Sequence, residues 1–360
     1  AGDLEPVLRR IGERGDIIKA MHREMAREGA GRAASDYAIY EPTDAGAGRL
    51  VGRVVARGLS DEINDRHYLI VDGVDGRTHY VEIGMGNATE TLPEDAVVAI
   101  EPKRAVARAV DRTVAEIAAA NEGRYNAEIH FRHDPTATAA FAETHVRRLE
   151  AMRRLGAHVE RQSDGTWIIA PDHLERAAAF ERTQARMNPV VIQILSAVPL
   201  NRQLGADGAT WLDHELVADT PTPTRDAGFG REVRQALDRR RQWLIEQGLA
   251  RQEQDRIIYR ANMLGLLRRR ELSRVADQLS GELGLAYVEA KPGERIDGIY
   301  HRRVELASGR FALIEKSREF TLVPWRPVLE RNLGKVVSGI ARGDTISWSL
   351  GRKRSGPGIS

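Results

Sequence analysis

Two arginine triplets and a basic chain end carry the residue types best suited to chemistry. The triplets are Arg239, Arg240, Arg241 and Arg268, Arg269, Arg270; the end holds Arg352, Lys353 and Arg354. The chemistry these residues suit is phosphate binding, because the guanidinium is a planar fork of donors that keeps its charge. Three consecutive arginines sweep so wide an arc of a helix that at least one of each triplet must face solvent. Arg251 and Arg256, on a hairpin between the triplets, would add contacts. Residues 228–280 hold 12 arginines against 7 acidic residues, and this local excess is what a DNA backbone would meet. The competing reading is a solvated helical face, with these arginines paired to Glu232, Asp238 and Glu271. Trp325 and Trp348 could stack unpaired bases, although a tryptophan in a small sheet is more often core.

Catalytic constellations are missing. No phosphate-cradling G-x-x-x-x-G-K-[ST] loop and no G-x-S-x-G elbow occurs, and Gly84-Met85-Gly86 is half of a dinucleotide fingerprint with no helix behind it. His130 and His133 are three apart, but Asp134-Pro135 ends their helix and no third ligand follows. Asp72 and Asp75 form a turn without the alternating ligands of a calcium loop. The sequence thus assigns no active site, no metal and no cofactor. Cysteine is absent, which removes disulfides, thiol catalysis and thiolate metal sites and fits the cytoplasm.

The whole chain is nearly neutral. Its 54 basic and 52 acidic residues leave +2, so any basic surface must be local. Only six of the 54 are lysines, a bias that GC-rich coding would also produce. Apolar residues at 42% suffice for packed cores. The longest apolar stretch, Pro189–Leu200, is too short to cross a bilayer. The chain starts at Ala1 without Met and enters helix-like sequence at once, as a fragment of a longer protein would.

These residues need elements to hold them. The pattern predicts a helical segment over 1–45 and a small acidic β-barrel of OB or SH3 type over 46–103, with 11 acidic and 5 basic residues between Asp44 and Glu101. A helix plus winged-helix-like unit is expected over 104–190, a connector over 191–227 and a second winged-helix-like unit over 228–285. A C-terminal β module with a basic tail follows over 286–360. The two units repeat weakly. Arg147-Arg148-Leu149 through Gly156 and Trp167-Ile168-Ile169 matches Arg239-Arg240-Arg241 through Gly248 and Arg256-Ile257-Ile258, each reading helix, glycine stop, hairpin, helix. The expected fold is α+β and modular, two barrel-like modules flanking two winged-helix-like units.

Several segments resemble a known family. They include Gly15-Asp16-Ile17-Ile18-Lys19-Ala20-Met21-His22, Val51-Gly52-Arg53-Val54-Val55-Ala56-Arg57-Gly58-Leu59 and Val71-Asp72-Gly73-Val74-Asp75-Gly76-Arg77-Thr78-His79. Further on come Trp167-Ile168-Ile169-Ala170-Pro171-Asp172, Gly208-Ala209-Thr210-Trp211-Leu212-Asp213, Ala307-Ser308-Gly309-Arg310-Phe311-Ala312, Leu322-Val323-Pro324-Trp325 and Trp348-Ser349-Leu350-Gly351. In this order they resemble the C-terminal region of conjugative relaxase/mobilisation nucleases. The resemblance implies an accessory region that holds plasmid DNA near the transfer origin, or presents the nuclease to the coupling protein of a type IV secretion system. The family's nicking domain uses a tyrosine and metal-binding histidines. None of its motifs occurs in this chain, so no catalytic residue carries over. A protein–protein module without DNA affinity is the alternative.

Overall fold

The computed structural model describes residues 4–27, 33–43, 46–85, 92–157, 159–342 and 345–348. The first part of the chain runs α1 (Leu4–Arg27), β1 (Tyr37–Tyr40), β2 (Leu50–Asp61), β3 (Arg66–Gly73), β4 (Thr78–Met85) and β5 (Val97–Pro102). A helical unit follows: α2 (Ala109–Ala119), β6 (Arg124–Tyr125), α3 (Ala127–His133), α4 (Ala139–Arg154), β7 (Glu160–Arg161), β8 (Trp167–Ile168) and α5 (His173–Met187). Then come β9 (Val190–Ser196), α6 (Leu200–Gln203), α7 (Trp211–Val217), α8 (Gly228–Glu246), β10 (Ala250–Glu253), β11 (Arg256–Tyr259) and α9 (Met263–Leu283). The last strands are β12 (Ala286–Tyr287), β13 (Arg295–Leu306), β14 (Gly309–Glu315), β15 (Glu319–Pro324), β16 (Val336–Arg342) and β17 (Thr345–Trp348).

Alternation builds the first sheet, ordered β1-β4-β3-β2-β5-β9. Leu69, Val71, Val98 and Ile100 point into one core, while Val97 and Ala99 point into another with Phe229 and Val233 of α8, as a period of two requires. Met21 and Met25 of α1 cover Ile70 beside Tyr37. The sixth strand comes from far along the chain. The apolar run at Val190–Val198, expected inside the connector, supplies β9, which pairs with β5 from Pro102↔Val190 to Val97↔Ser196. Lys103 N–H donates to Pro189 O at 2.9 Å. The helical unit is therefore an insertion between neighbouring strands, with its own core around Trp167, Tyr125, Leu149 and Met152.

The second sheet, β12-β15-β14-β13-β16-β17, repeats the plan of the first. In each, the first strand lies parallel to the fourth, the second to fourth form a meander, and the second also pairs with the fifth. Local detail repeats too. A register shift follows Val54 in β2 and Tyr300 in β13. Two residues before each stands a glycine, Gly52 or Gly298. A Cβ there would lie 2.5 Å from the carbonyl oxygen of Asp72 or Glu315, so only glycine lets the strands approach. Phe311 and Leu313 of β14 face Val275, Ala276 and Leu279 of α9, whereas Ala312 and Ile314 face the opposite core with Tyr300 and Trp348.

Neither sheet closes on itself, which corrects the two barrel-like modules expected at 46–103 and 286–360. The fold is α+β with open sheets. Closure fails because the outer strands, β1 and β9 in one sheet and β12 and β17 in the other, share no ladder. Among the described residues no helix is long and apolar enough to cross a membrane.

Three histidines are sealed into the helical insertion: His130, His145 and His173. Tyr125 Oη and His130 Nδ1 lie 2.7 Å apart, and the His130 and His145 rings meet edge to face at 4.8 Å. Burial pushes the His130 and His173 imidazoles below their ordinary value, with His145 adding to the effect on His130. Both are thus neutral in the fold at neutral pH. The unfolded chain takes up their protons near pH 6.5, so the stability they contribute is present above about pH 6.5 and is lost as pH falls towards the folded values. A lower melting midpoint at pH 5.5 than at pH 7.5 is expected; equal midpoints would contradict it. Among the described residues no group of three His, Asp or Glu could hold a metal ion.

Candidate nucleic-acid interface

Helix α8 carries the first triplet with apolar residues at Val233, Ala236 and Leu244, all buried. These lie seven and four residues before Arg240 and four after it, so Arg240 shares their face. Its side chain is 0% exposed. Nε donates to Asp213 Oδ1 and Nη2 to Asp213 Oδ2, each at 2.8 Å. The remaining donors reach the carbonyls of Leu204, Ala206 and Gly208 at 2.8–3.2 Å. The guanidinium lies 4.0 Å from the centre of the Trp243 ring. Arg240 is therefore a clamp inside the core. This corrects its assignment to DNA, since no donor is left for a phosphate.

The helical insertion contains the same clamp. Arg148, the residue that the sequence repeat sets against Arg240, donates from Nε and Nη2 to Asp111 at 2.9 Å. In both units the aspartate is the third residue of a helix and also accepts the N–H of the residue capping it, Arg108 or Thr210, at 2.8 Å. In both, an aromatic ring flanks the arginine, Phe180 or Trp243. Glu181, also buried, adds a second carboxylate to the first clamp at 2.8 Å from Arg148.

The other predicted arginines divide into two groups. Arg241 pairs with Asp238 at 2.8 Å, Arg251 with Glu253 at 2.7 Å and Arg270 with Asp207 at 3.9 Å. Arg268 is half-buried over the Phe311 ring at 5.4 Å. Arg239, Arg256 and Arg269 are exposed and have no carboxylate partner among the described residues. Arg234, Arg260 and Arg274, not singled out in the sequence, are in the same state. Spacing could have found two of them, because Arg234 and Arg274 lie off the buried stripes of α8 and α9. Of the competing acidic partners, Asp238 serves Arg241, Glu232 serves Arg53 at 3.2 Å, and Glu271 faces inward. Arg352, Lys353 and Arg354 lie outside the described residues. Trp348 belongs to the second sheet's core. Trp325 is half-buried beneath Arg303 and Arg310, at 5.2 and 5.6 Å, and donates to Tyr300 Oη.

A polar joint ties the helix–hairpin–helix α8–β10–β11–α9 to the second sheet. The Glu271 carboxylate accepts the N–H groups of Ala307 and Ser308 at 2.9 Å, and Ser308 Oγ accepts Ala209 N–H at 2.9 Å. Gly208 leaves no room for a Cβ against the Glu271 carboxylate. The segments Gly208–Asp213 and Ala307–Ala312, far apart in sequence, thus meet. Beside the joint opens a cleft of about 860 Å³, lined in part by Ile192, Ile194, Trp211, Ser308, Arg310 and Trp325.

No curated protein and no solved structure matches the chain. One family does, described as protein of unknown function (DUF3363), over residues 1–357. Because that match takes in both sheets, both clamps and the joint between them, the chain belongs to the DUF3363 family.

Proposed function

We propose that this chain is an accessory region of a conjugative relaxase/mobilisation protein that binds plasmid DNA through the helix–hairpin–helix α8–β10–β11–α9. One observation carries the reading. Arg234, Arg239, Arg256, Arg260, Arg269 and Arg274 all project from this unit without carboxylate partners among the described residues. An exposed arginine without an internal partner keeps its donors for phosphate oxygens and releases counterions when it binds. The clamp at Arg240 supports the same reading, since it holds α8 rigidly while Arg239 and Arg241 stay at the surface. In this reading Arg352, Lys353 and Arg354 serve DNA or the coupling protein of a type IV secretion system.

The test is an Arg239→Ala, Arg256→Ala, Arg269→Ala variant. Each lost phosphate contact should flatten the slope of log affinity against log salt by about one, and weaken all DNA sequences alike. An unchanged slope and affinity would place the contacts elsewhere.

A further inference from the structure

We infer that the outer edge of β9 is a docking site for an extended peptide, which adds to the first sheet as a seventh strand and carries a carboxylate to Arg331. This goes beyond DNA binding and uses a different surface.

Among the described residues β9 ends its sheet, so one row of its backbone N–H and C=O groups faces away from β5. Edge strands are normally blunted by charge, proline, bulges or a covering element. The sequence here, Val190-Val191-Ile192-Gln193-Ile194-Leu195-Ser196, has no charged residue, no proline and no glycine, and its one irregularity is the extra residue Leu195 between the pairs Val98↔Ile194 and Val97↔Ser196. Val191 is 54% exposed.

The cleft of about 860 Å³ lies beside the C-terminal part of this strand. It touches Ile192 and Ile194, which pack on the core shared with Leu69 and Val98, and also Leu195, which packs on the opposite core with Trp211 and Phe229. Residues on opposite faces can line one cleft where it passes the strand's edge or its end. Its volume lies within the usual range for ligand pockets.

The far wall selects the occupant. It consists of the turn Ala307–Gly309, fixed by Glu271 and Ala209, and of Trp325 and Pro327. This wall belongs to the same chain and stands across from β9. A strand added to β9 would lie between this edge and that wall, which line the same cleft. Seven residues of β9 offer about 23 Å of edge, at roughly 3.3 Å per residue.

Charge then fixes the peptide's character. Of the cleft's charged residues, Arg310 pairs with Glu305 at 3.2 Å, and Glu330 lies 3.6 Å from Arg303. Arg331 is exposed and has no carboxylate partner among the described residues. The peptide that complements this cleft alternates apolar residues to meet Ile192, Ile194 and Trp325, and brings a carboxylate from an Asp or Glu side chain or from its own C-terminus.

The experiment selects random ten-residue peptides, displayed on phage, against the full chain, and resynthesises the winners. Winners should alternate apolar residues and carry a carboxylate near one end; amidated and free-acid forms distinguish its two sources. Methylating every second backbone nitrogen, on the side meeting β9, should weaken binding about tenfold or more. Arg331→Glu should weaken it by a similar factor, as should the edge variant Val191→Lys, Gln193→Lys, with DNA affinity unchanged in the edge variant. Peptide-dependent hydrogen-exchange protection should appear in β9. Failure to enrich any peptide would overturn the proposal, as would full affinity of the methylated forms. A dimer dispersed by the edge variant would identify a second copy as the occupant instead. Displacement of the peptide by an oligonucleotide would assign the cleft to nucleic acid.

Discussion

An Arg240→Ala variant is expected to lose about 3–5 kcal/mol of stability, the usual cost of breaking a buried ion pair from one side. The loss has two parts. Asp213, 0% exposed, is left buried without its counter-ion, and the carbonyls of Leu204, Ala206 and Gly208 lose the donors that satisfy them. Small domains hold only about 5–15 kcal/mol in reserve, so the variant should melt far below the wild type or fail to accumulate. Arg239→Ala, one residue earlier and exposed, should stay within about 0.5 kcal/mol of wild type. Denaturant unfolding of both variants separates the roles. If Arg240→Ala were as stable as Arg239→Ala, Arg240 would not be a clamp.

The equivalent change in the helical insertion, Arg148→Ala, should be as severe, about 3–5 kcal/mol. It takes the shared guanidinium from two buried carboxylates, Asp111 and Glu181, of which Glu181 keeps Arg108 at 2.8 Å. In the wild type, burial would raise the Asp111 carboxyl, but hydrogen bonds from Arg148 and from Arg108 N–H outweigh it and hold the group below its ordinary value. That contribution is present above the ordinary carboxylate value, near pH 4, and disappears as pH falls through the folded value. Without Arg148 the hydrogen bond from Arg108 N–H is left to oppose burial, and Asp111 protonates more easily. The stability gap between wild type and variant should therefore be widest at neutral pH and narrow below about pH 4. A gap independent of pH would show that lost packing on Phe180, rather than charge, sets the cost.

Much of the architecture is written locally. Alternation marks β2 to β5, Asp72 to Gly76 marks the turn between β3 and β4, and the glycines after α4 and α8 mark their ends. What crosses long distances is not. Nothing in Val190–Ser196 says that it pairs with Val97–Pro102 across an inserted helical unit, because a register belongs to two segments and not to one. The barrel expectation failed on the same ground: closely spaced strands suggest closure, but whether the outer two meet is a non-local fact. Arg240 was legible after all. Its spacing from Val233, Ala236 and Leu244 puts it on the buried face, and the sequence repeat aligns it with Arg148. A run of three charges hid that position, since charge suggests solvent unless each residue is placed on the helix wheel. The duplication of the sheets also had a trace in Gly52 and Gly298, but without contacts a lone glycine in a strand does not identify its partner.

The candidate interface was half legible. Composition located the unit, from the arginine excess over 228–280, while the division between paired and unpaired arginines depends on which carboxylates fold close by. Asp207 and Asp213 lie outside that window and take Arg270 and Arg240. The residues left for phosphate therefore differ from the triplets themselves.

Titrating the wild-type chain against duplex and single-stranded DNA at two salt concentrations tests DNA binding most directly. Binding should be measurable at 50 mM salt and should fall by about 10³-fold or more at 200 mM if at least six arginines meet phosphates. Absence of binding at low salt, or an affinity indifferent to salt, would contradict it.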